Sequence, residues 1–401
     1  MNRIVFNGVW ILLVCFFVSC SSLPKVETME DVIEKGLSVA KEQALLMARE
    51  LEAREGELPK SIKDGKLETS NCYWWCSGFF PGEVWYLYEY YKDPELKKYA
   101  ELYTKRLEEV QYVKSNHDVG FMLYCSYGNG YRLTNNAYYK DVLVQGARSL
   151  STRYNPTVQA IRSWGNGVSD YLVIIDNMMN LELLTWAGKA TEDSTFINIA
   201  VSHANKTMKN HFRDDYSSFH VLSYDTVAGI PVYKQTSQGY SDDSAWSRGQ
   251  AWGLYGYTMM ARETGDDSYL QQAKHIAHYL MNHPRMPEDK IPYWDFDVPT
   301  IPNTTRDASA AAIMASALIE LSQLDKSPEA SKYLAYAEAQ LRSLSSPEYL
   351  AEKGTNCNFV LKHSTGHFKA KSEVDVPLSY ADYYYVEALM RLRTIYNSKK
   401  D

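Results

Sequence analysis

The run VIIDNMMNLELL, from Val173 to Leu184, carries one aspartate, Asp176, directly after two isoleucines. Aspartate is seldom buried without a partner and is a poor residue for a helix interior. It therefore caps a helix, does chemistry, or both. A second aspartate, Asp118, stands in NHDVGF, and Arg248 and Trp252 stand in SRGQAW. Burial among apolar side chains raises a carboxyl pKa, and so does a second negative group nearby. A carboxyl that still holds its proton near neutral pH can act as a general acid. Arg248 offers a planar fork for a ligand carboxylate, or an ion pair with a nearby aspartate. Trp74, Trp75 and Trp252 suit sugar stacking and core packing alike.

Helical periodicity dominates the chain and must position these groups. Asp93 begins DPELKKYA, Asp193 begins DSTFINIA and Asp266 begins DDSYLQQA. In each, an aspartate suited to an N-cap precedes an apolar stripe. Looser copies start at Asn135 and Ser327. Each copy follows a more apolar helical segment after a short polar turn. Those segments start near Gly78, Asp118, Asp176, Trp246 and Asp307, and a sixth starts near Tyr380. The amphipathic helix at 29–54 is its partner.

Helical hairpins repeated in this way must stack to bury their apolar faces. Six of them close into an all-α (α/α)6 barrel with the apolar helices inside. An open solenoid is the alternative, and the irregular spacing disfavours it. The insertion at 213–245 reads as a small β-hairpin with Gly229 and Pro231 in its turn region. In a ring the inner helices are parallel, so their N-termini share one mouth. His117, Asp118, Asp176, Arg248, Trp252, Arg306, Asp307, Tyr380 and Asp382 all fall there. Capping is the plainer role for each aspartate; the meeting of acids, arginine and indoles in one concavity is what favours chemistry. Helix N-termini add partial positive charge, which suits an anionic ligand.

The net charge of −7 argues against a nucleic-acid partner. The start, MNRIVFNGVWILLVCFFVSCSS, reads as a secretory signal. FVSC resembles a bacterial lipobox, which implies cleavage before Cys20 and lipidation of its thiol. Residues 1–19 are then a lipoprotein-type signal, 20–28 a tether and 29–401 a single domain. The mature protein is expected as an exported lipoprotein, periplasmic or outer-membrane anchored, touching membrane only through its lipid. Cys72, Cys76, Cys125 and Cys357 complete no zinc set, although a Cys72–Cys76 disulfide is open.

The segments WWCSGFFPGEVWYLYEYY, NHDVGFMLYCSYGNGY, IIDNMMNLELL, YKQTSQGYSDDSAWSRGQAWGLYGY, RDASAAAIMASAL and ADYYYVEALM resemble, in that order, those of the unsaturated glucuronyl hydrolases, glycoside hydrolase family 88. The resemblance covers roughly residues 30–398. It implies an α/α six-barrel, no metal and no organic cofactor. The implied substrate is an oligosaccharide left by a polysaccharide lyase, with a 4,5-unsaturated uronic acid at its non-reducing end. Asp176 takes the place of the family's acid/base and Asp118 that of its essential neighbour. His220, Gln238, Arg248, Trp252 and Trp75 take substrate-binding places. In HSTGHFKAK, Ser364 and Lys369 match a sulfate-binding segment of some relatives, but His367 stands where a second serine is expected.

The implied reaction is hydration of the vinyl ether double bond. Rival functions are an unsaturated rhamnogalacturonyl hydrolase, an inverting glycosidase of saturated glycans, and a surface glycan-binding helical-repeat protein without turnover. The paired aspartates argue against the first, and Asp176 has no purpose in the last.

Overall fold

The computed structural model describes residues 27–398, so the signal segment, Cys20 and most of the 20–28 tether lie outside the described residues. The fold is mostly helical, with small sheets. Inner helices are Phe79–Tyr91, an interrupted helix from Val119–Leu123 to Asn129–Thr134, Leu181–Thr191, Ser247–Thr264, Ala308–Leu324 and Ser379–Ser398. Each packs on the next, and the last packs on the first, so the ring closes into a helical barrel. The outer helices are Met29–Leu51, Pro94–Lys105, Ala137–Ser151, Ser194–Asn210, Asp267–Met281 and Ala330–Leu344.

Burial separates the two layers as the apolar patterns require. In Ala308–Leu324 every residue from Ala308 to Ile319 is buried. In Asp267–Met281 only one stripe is buried, Tyr269, Gln272, Ala273, Ile276, Ala277 and Leu280, at helical spacing.

Four inner-to-outer turns share one two-residue design. A left-handed residue ends the inner helix: Lys92 (φ 53°), Asn135 (φ 53°), Glu192 (φ 57°) or Gly265 (φ 72°). The next residue, Asp93, Asn136, Asp193 or Asp266, is extended, and its side chain accepts the backbone N–H two residues on. The left-handed residue stops the helix and the cap starts the next. The copy at Ser327 departs from this design: Glu329 precedes its helix without a side-chain cap.

All long connections therefore lie at the other end of the barrel. The expected hairpin is present as Val221–Tyr224 and Pro231–Gln235, with Gly229 at φ +69° in its turn. It is half of a four-stranded antiparallel sheet that also holds Trp164–Gly167 and Asp170–Ile174, which the sequence patterns do not announce. Separate two-stranded hairpins form at Leu58–Lys63 with Lys66–Ser70 and at Ser364–His367 with Ser372–Val376. Cys72 and Cys76 are free thiols, so the disulfide left open by the sequence does not form.

Candidate active site

Asp176 does not cap a helix. It sits in a 3-10 turn, Ile175–Asn180, between the strand Asp170–Ile174 and the inner helix Leu181–Thr191, and that turn's start has no side-chain cap. Two glycines let neighbouring helices close on this turn. A Cβ on Gly256 would lie 2.4 Å from Met178 Cβ, and one on Gly120 would lie 2.5 Å from Asn180 Cα. The sheet supplies the next group. Ile174 pairs with Val221, and the Ile175 N–H donates to the His220 carbonyl at 3.0 Å. This register sets the His220 ring beside Asp176, with Nε2 3.7 Å from Asp176 Oδ2.

The tautomer of His220 follows from its other nitrogen. Nδ1 accepts the backbone N–H groups of Ser237 (3.1 Å) and Gln238 (3.2 Å), so the ring proton is on Nε2, facing the carboxyl. Burial, with Arg248 adding to it, holds the imidazole pKa well below its usual value, so it stays neutral. Trp246 packs against the ring at 4.5 Å. Burial pushes the Asp176 carboxyl up to about 7; the Arg248 charge opposes this, Asp118 reinforces it, and the Trp252 indole N–H opposes it. Asp176 Oδ2 meets no donor at hydrogen-bonding distance among the described residues.

Asp118 precedes the short helix Val119–Leu123 without capping it. Its Oδ1 accepts from Asn180 Nδ2 at 3.1 Å, and Asn180 Oδ1 in turn accepts the Phe121 N–H at 2.9 Å. Asn180 belongs to the same turn as Asp176, so one turn fixes both acids. Burial raises the Asp118 carboxyl to about 7, against the lowering bond from Asn180 and the Arg153 charge. His117 Nε2 lies 3.3 Å from Asp118 Oδ2, and burial lowers this imidazole to about 3, so it too is neutral. Asn180, Trp246 and Trp164, whose edge meets His117 at 5.7 Å, are site neighbours that sequence reasoning missed. Asn180 was within reach, because it lies in the motif that carries Asp176.

Arg248 resolves to its ion-pair role. Nη1 donates to Asp307 Oδ2 at 2.9 Å and to the Thr365 carbonyl at 2.5 Å, and Nη2 donates to the Gly366 carbonyl at 2.6 Å. Both terminal nitrogens of the fork expected for a ligand carboxylate are thus spent inside the protein, Nε has no partner among the described residues, and the side chain is 1 % exposed. Gln238 Nε2 donates to the same Gly366 carbonyl at 3.0 Å. Together they clamp the Ser364–His367 strand over the pit. Asp307 does cap its helix, accepting the N–H groups of Ser309 and Ala310.

Trp75, Phe79, Phe121, Tyr380, Tyr384 and Trp252 form one aromatic cluster. Trp252 is wholly buried while Trp75 is half-buried, so of the two only Trp75 presents a face, the reverse of the weighting the sequence suggests. Ser364 is buried with an unpartnered hydroxyl, and Lys369 lies in the turn of its hairpin. Two other mouth candidates face elsewhere. Arg306 pairs with Asp289 and donates to the Ile291 carbonyl, and Asp382 accepts the N–H groups of Val360 and Leu361. Trp74 is exposed beneath Lys60.

The arrangement makes a pH prediction. A general acid with its pKa near 7 works protonated, so kcat/KM falls by about tenfold per unit above that pH. Because Asp118 raises the Asp176 carboxyl, Asp118→Asn moves this limb to lower pH in the activity that remains. A pH–rate profile of both proteins checks this; an unmoved limb in the variant refutes the coupling.

A protonated carboxyl beside a neutral imidazole, in an aromatic pit at one end of a helical barrel, belongs to the chemistry of glycoside hydrolases. No family model matches the chain. It is 47 % identical over 324 residues to an unsaturated glucuronyl hydrolase of Formosa agariphila, covering 80 % of each. A crystal structure of an unsaturated glucuronyl hydrolase specific for heparin superposes with a TM-score of 0.88 at 49 % identity, covering 92 % of this chain and 98 % of that one. A variant of the Streptococcus agalactiae enzyme, complexed with dGlcA-GalNAc6S, matches with a TM-score of 0.76 at 28 % identity, covering 91 % of this chain and 92 % of that one. The chain belongs to the unsaturated glucuronyl hydrolases, glycoside hydrolase family 88.

Proposed function

We propose that this enzyme removes the 4,5-unsaturated uronic acid from the non-reducing end of lyase-generated glycosaminoglycan oligosaccharides, those of heparin type foremost, on an (α/α)6 barrel of six-hairpin glycosidase type. The observation that carries the chemistry is the Asp176 carboxyl, raised to about 7 and facing the Nε2–H of a neutral His220. The heparin preference draws on the relative at 49 % identity described as specific for heparin.

Asp176 starts protonated and gives its proton to C4 of the vinyl ether, forming the C4–H bond as the double bond is consumed. Positive charge develops at C5 and the ring oxygen. The Asp176 carboxylate then takes a proton from water as its oxygen bonds to C5, which regenerates the acid. The hemiketal opens and releases the remaining sugar chain. Burial keeps Asp176 protonated, and the Asp118 carboxyl adds to this because the two acids resist ionising together. His220 directs its Nε2–H at the sugar or the attacking water. Arg248 and Gln238 act by holding the Ser364–His367 strand in place, and Trp75 supplies a sugar-facing ring. Ser364 and Lys369 lie on the hairpin where a sulfate would be met.

Loss of the double bond's ultraviolet absorbance, followed over a panel of lyase-generated disaccharides, tests the function. Unsaturated disaccharides are consumed and the saturated counterpart is not. Equal cleavage of the saturated sugar would mean ordinary glycosidic hydrolysis. Export with lipidation at Cys20, on the periplasmic or outer-membrane face, fits such a scavenging role. A Cys20→Ala chain that still labels with radioactive fatty acid argues against that anchor.

A further inference from the structure

Beyond the pit, the hairpin Ser364–Val376 borders a groove of about 720 Å³ lined by Tyr240, Trp294, Pro299, Phe368, Lys369 and Lys371, among others, with no carboxylate in its wall. Phe368 lies flat on the buried Trp294, with ring centroids 4.5 Å apart and planes 8° apart, so its outer face is a backed platform. Tyr240 and Phe368 are 43 % and 37 % exposed. Neither Lys369 nor Lys371 makes an ion pair among the described residues. The acids nearest in sequence, Glu373 and Asp375, are held by Lys60 at 3.2 Å and by His363 at 2.7 Å. On a chain of net charge −7, a concavity with free lysines and exposed aromatic rings is a local exception.

The groove and the pit share one hairpin: Arg248 and Gln238 hold Gly366, and Phe368, two residues on, lines the groove. The positive charge of Lys369 is felt by His220, and Lys369 also lines the groove. Gln238, whose N–H bonds to His220, stands two residues before Tyr240, whose own N–H is fixed on Asp295 at 2.9 Å. A sugar chain that leaves the pit along this hairpin meets Phe368 and Tyr240.

We propose that this groove is a distal subsite for the third sugar of the substrate, an acidic one, stacked on Phe368 and Tyr240 with its carboxylate at Lys371. The proposal rests on the function argued above. It means that the enzyme gains binding from unsaturated tetrasaccharides that disaccharides cannot supply. Aromatic faces and unpaired ammonium groups together are what an anionic sugar ring requires.

The test uses the full-chain enzyme with an unsaturated disaccharide and tetrasaccharide from one lyase digest. Lys371 has φ +53°, so Lys371→Asn, which tolerates that backbone, is preferred to alanine. In Lys371→Asn and Tyr240→Ala, KM for the tetrasaccharide rises about tenfold while kcat holds, and the disaccharide constants stay unchanged. Lys371→Arg restores the tetrasaccharide KM. The difference between substrates shrinks as salt is added. Equal effects on both substrates, or a tetrasaccharide KM that ignores both variants, overturns the subsite alone. Failure of the wild type to consume either sugar overturns the parent function with it.

Discussion

Asp176→Asn folds normally and loses turnover. The amide has the shape of the acid but no proton to give C4, and positioned acid–base catalysis contributes typically ~10²–10⁴-fold. Binding of an unsaturated disaccharide is retained, because the amide removes only the proton donor. The same substitution reports on stability. The folded carboxyl sits near 7, above the ordinary 3.8, so its contribution is present at low pH and is lost as pH rises through about 7. Ionising it inside the pit costs about 4 kcal/mol of stability by the size of that shift. Asparagine escapes this cost. The variant therefore melts above wild type at pH 8 and close to it near pH 4. Calorimetry at both pH values, beside an absorbance assay, checks the two halves. Near-wild-type turnover, or a lower melting point at pH 8, sinks the role given to Asp176.

Asp307→Ala has the largest expected cost in stability. Asp307 caps the helix Ala308–Leu324, neutralises the buried Arg248, and accepts the Thr365 N–H at 3.4 Å. Removing one partner of a buried pair costs about 3–5 kcal/mol, because the other charge stays buried alone. Losing the cap adds ~1 kcal/mol. Asp307→Asn keeps a capping oxygen and loses the charge, so it separates the two effects. The double change Arg248→Met with Asp307→Leu recovers part of the stability, since neither charge is then left alone. Activity does not return, because the Ser364–His367 strand has lost its clamp. Denaturant melts of the three proteins decide the matter; a single alanine variant as stable as wild type contradicts it.

The helical frame was open to reading because its signals are local. An αL stop followed by an Asp or Asn cap is written in adjacent residues, and buried stripes repeat every turn. The strand Asp170–Ile174 was not legible, because DYLVI shows no clean alternation and its partner, Val221–Tyr224, lies far along the chain. Missing that strand made Asp176 look like a helix start. The weighting of the indoles failed for a related reason: sequence places Trp75 and Trp252 at the same mouth but does not say which is covered.

The residues themselves determined the helix pairs, the two-residue turns between them and the identity of the acids, since propensity, capping and periodicity act over a few residues. Only the tertiary structure decided the chemistry of the pit. Arg248 meets Gly366 across 118 residues of chain, and Asn180 meets Asp118 across 62. Which charge is neutralised, which imidazole nitrogen carries the proton and which carboxyl keeps its own all depend on such meetings. Electrostatic energy depends on distance and burial in space, and neither is written in the spacing of residues along the chain.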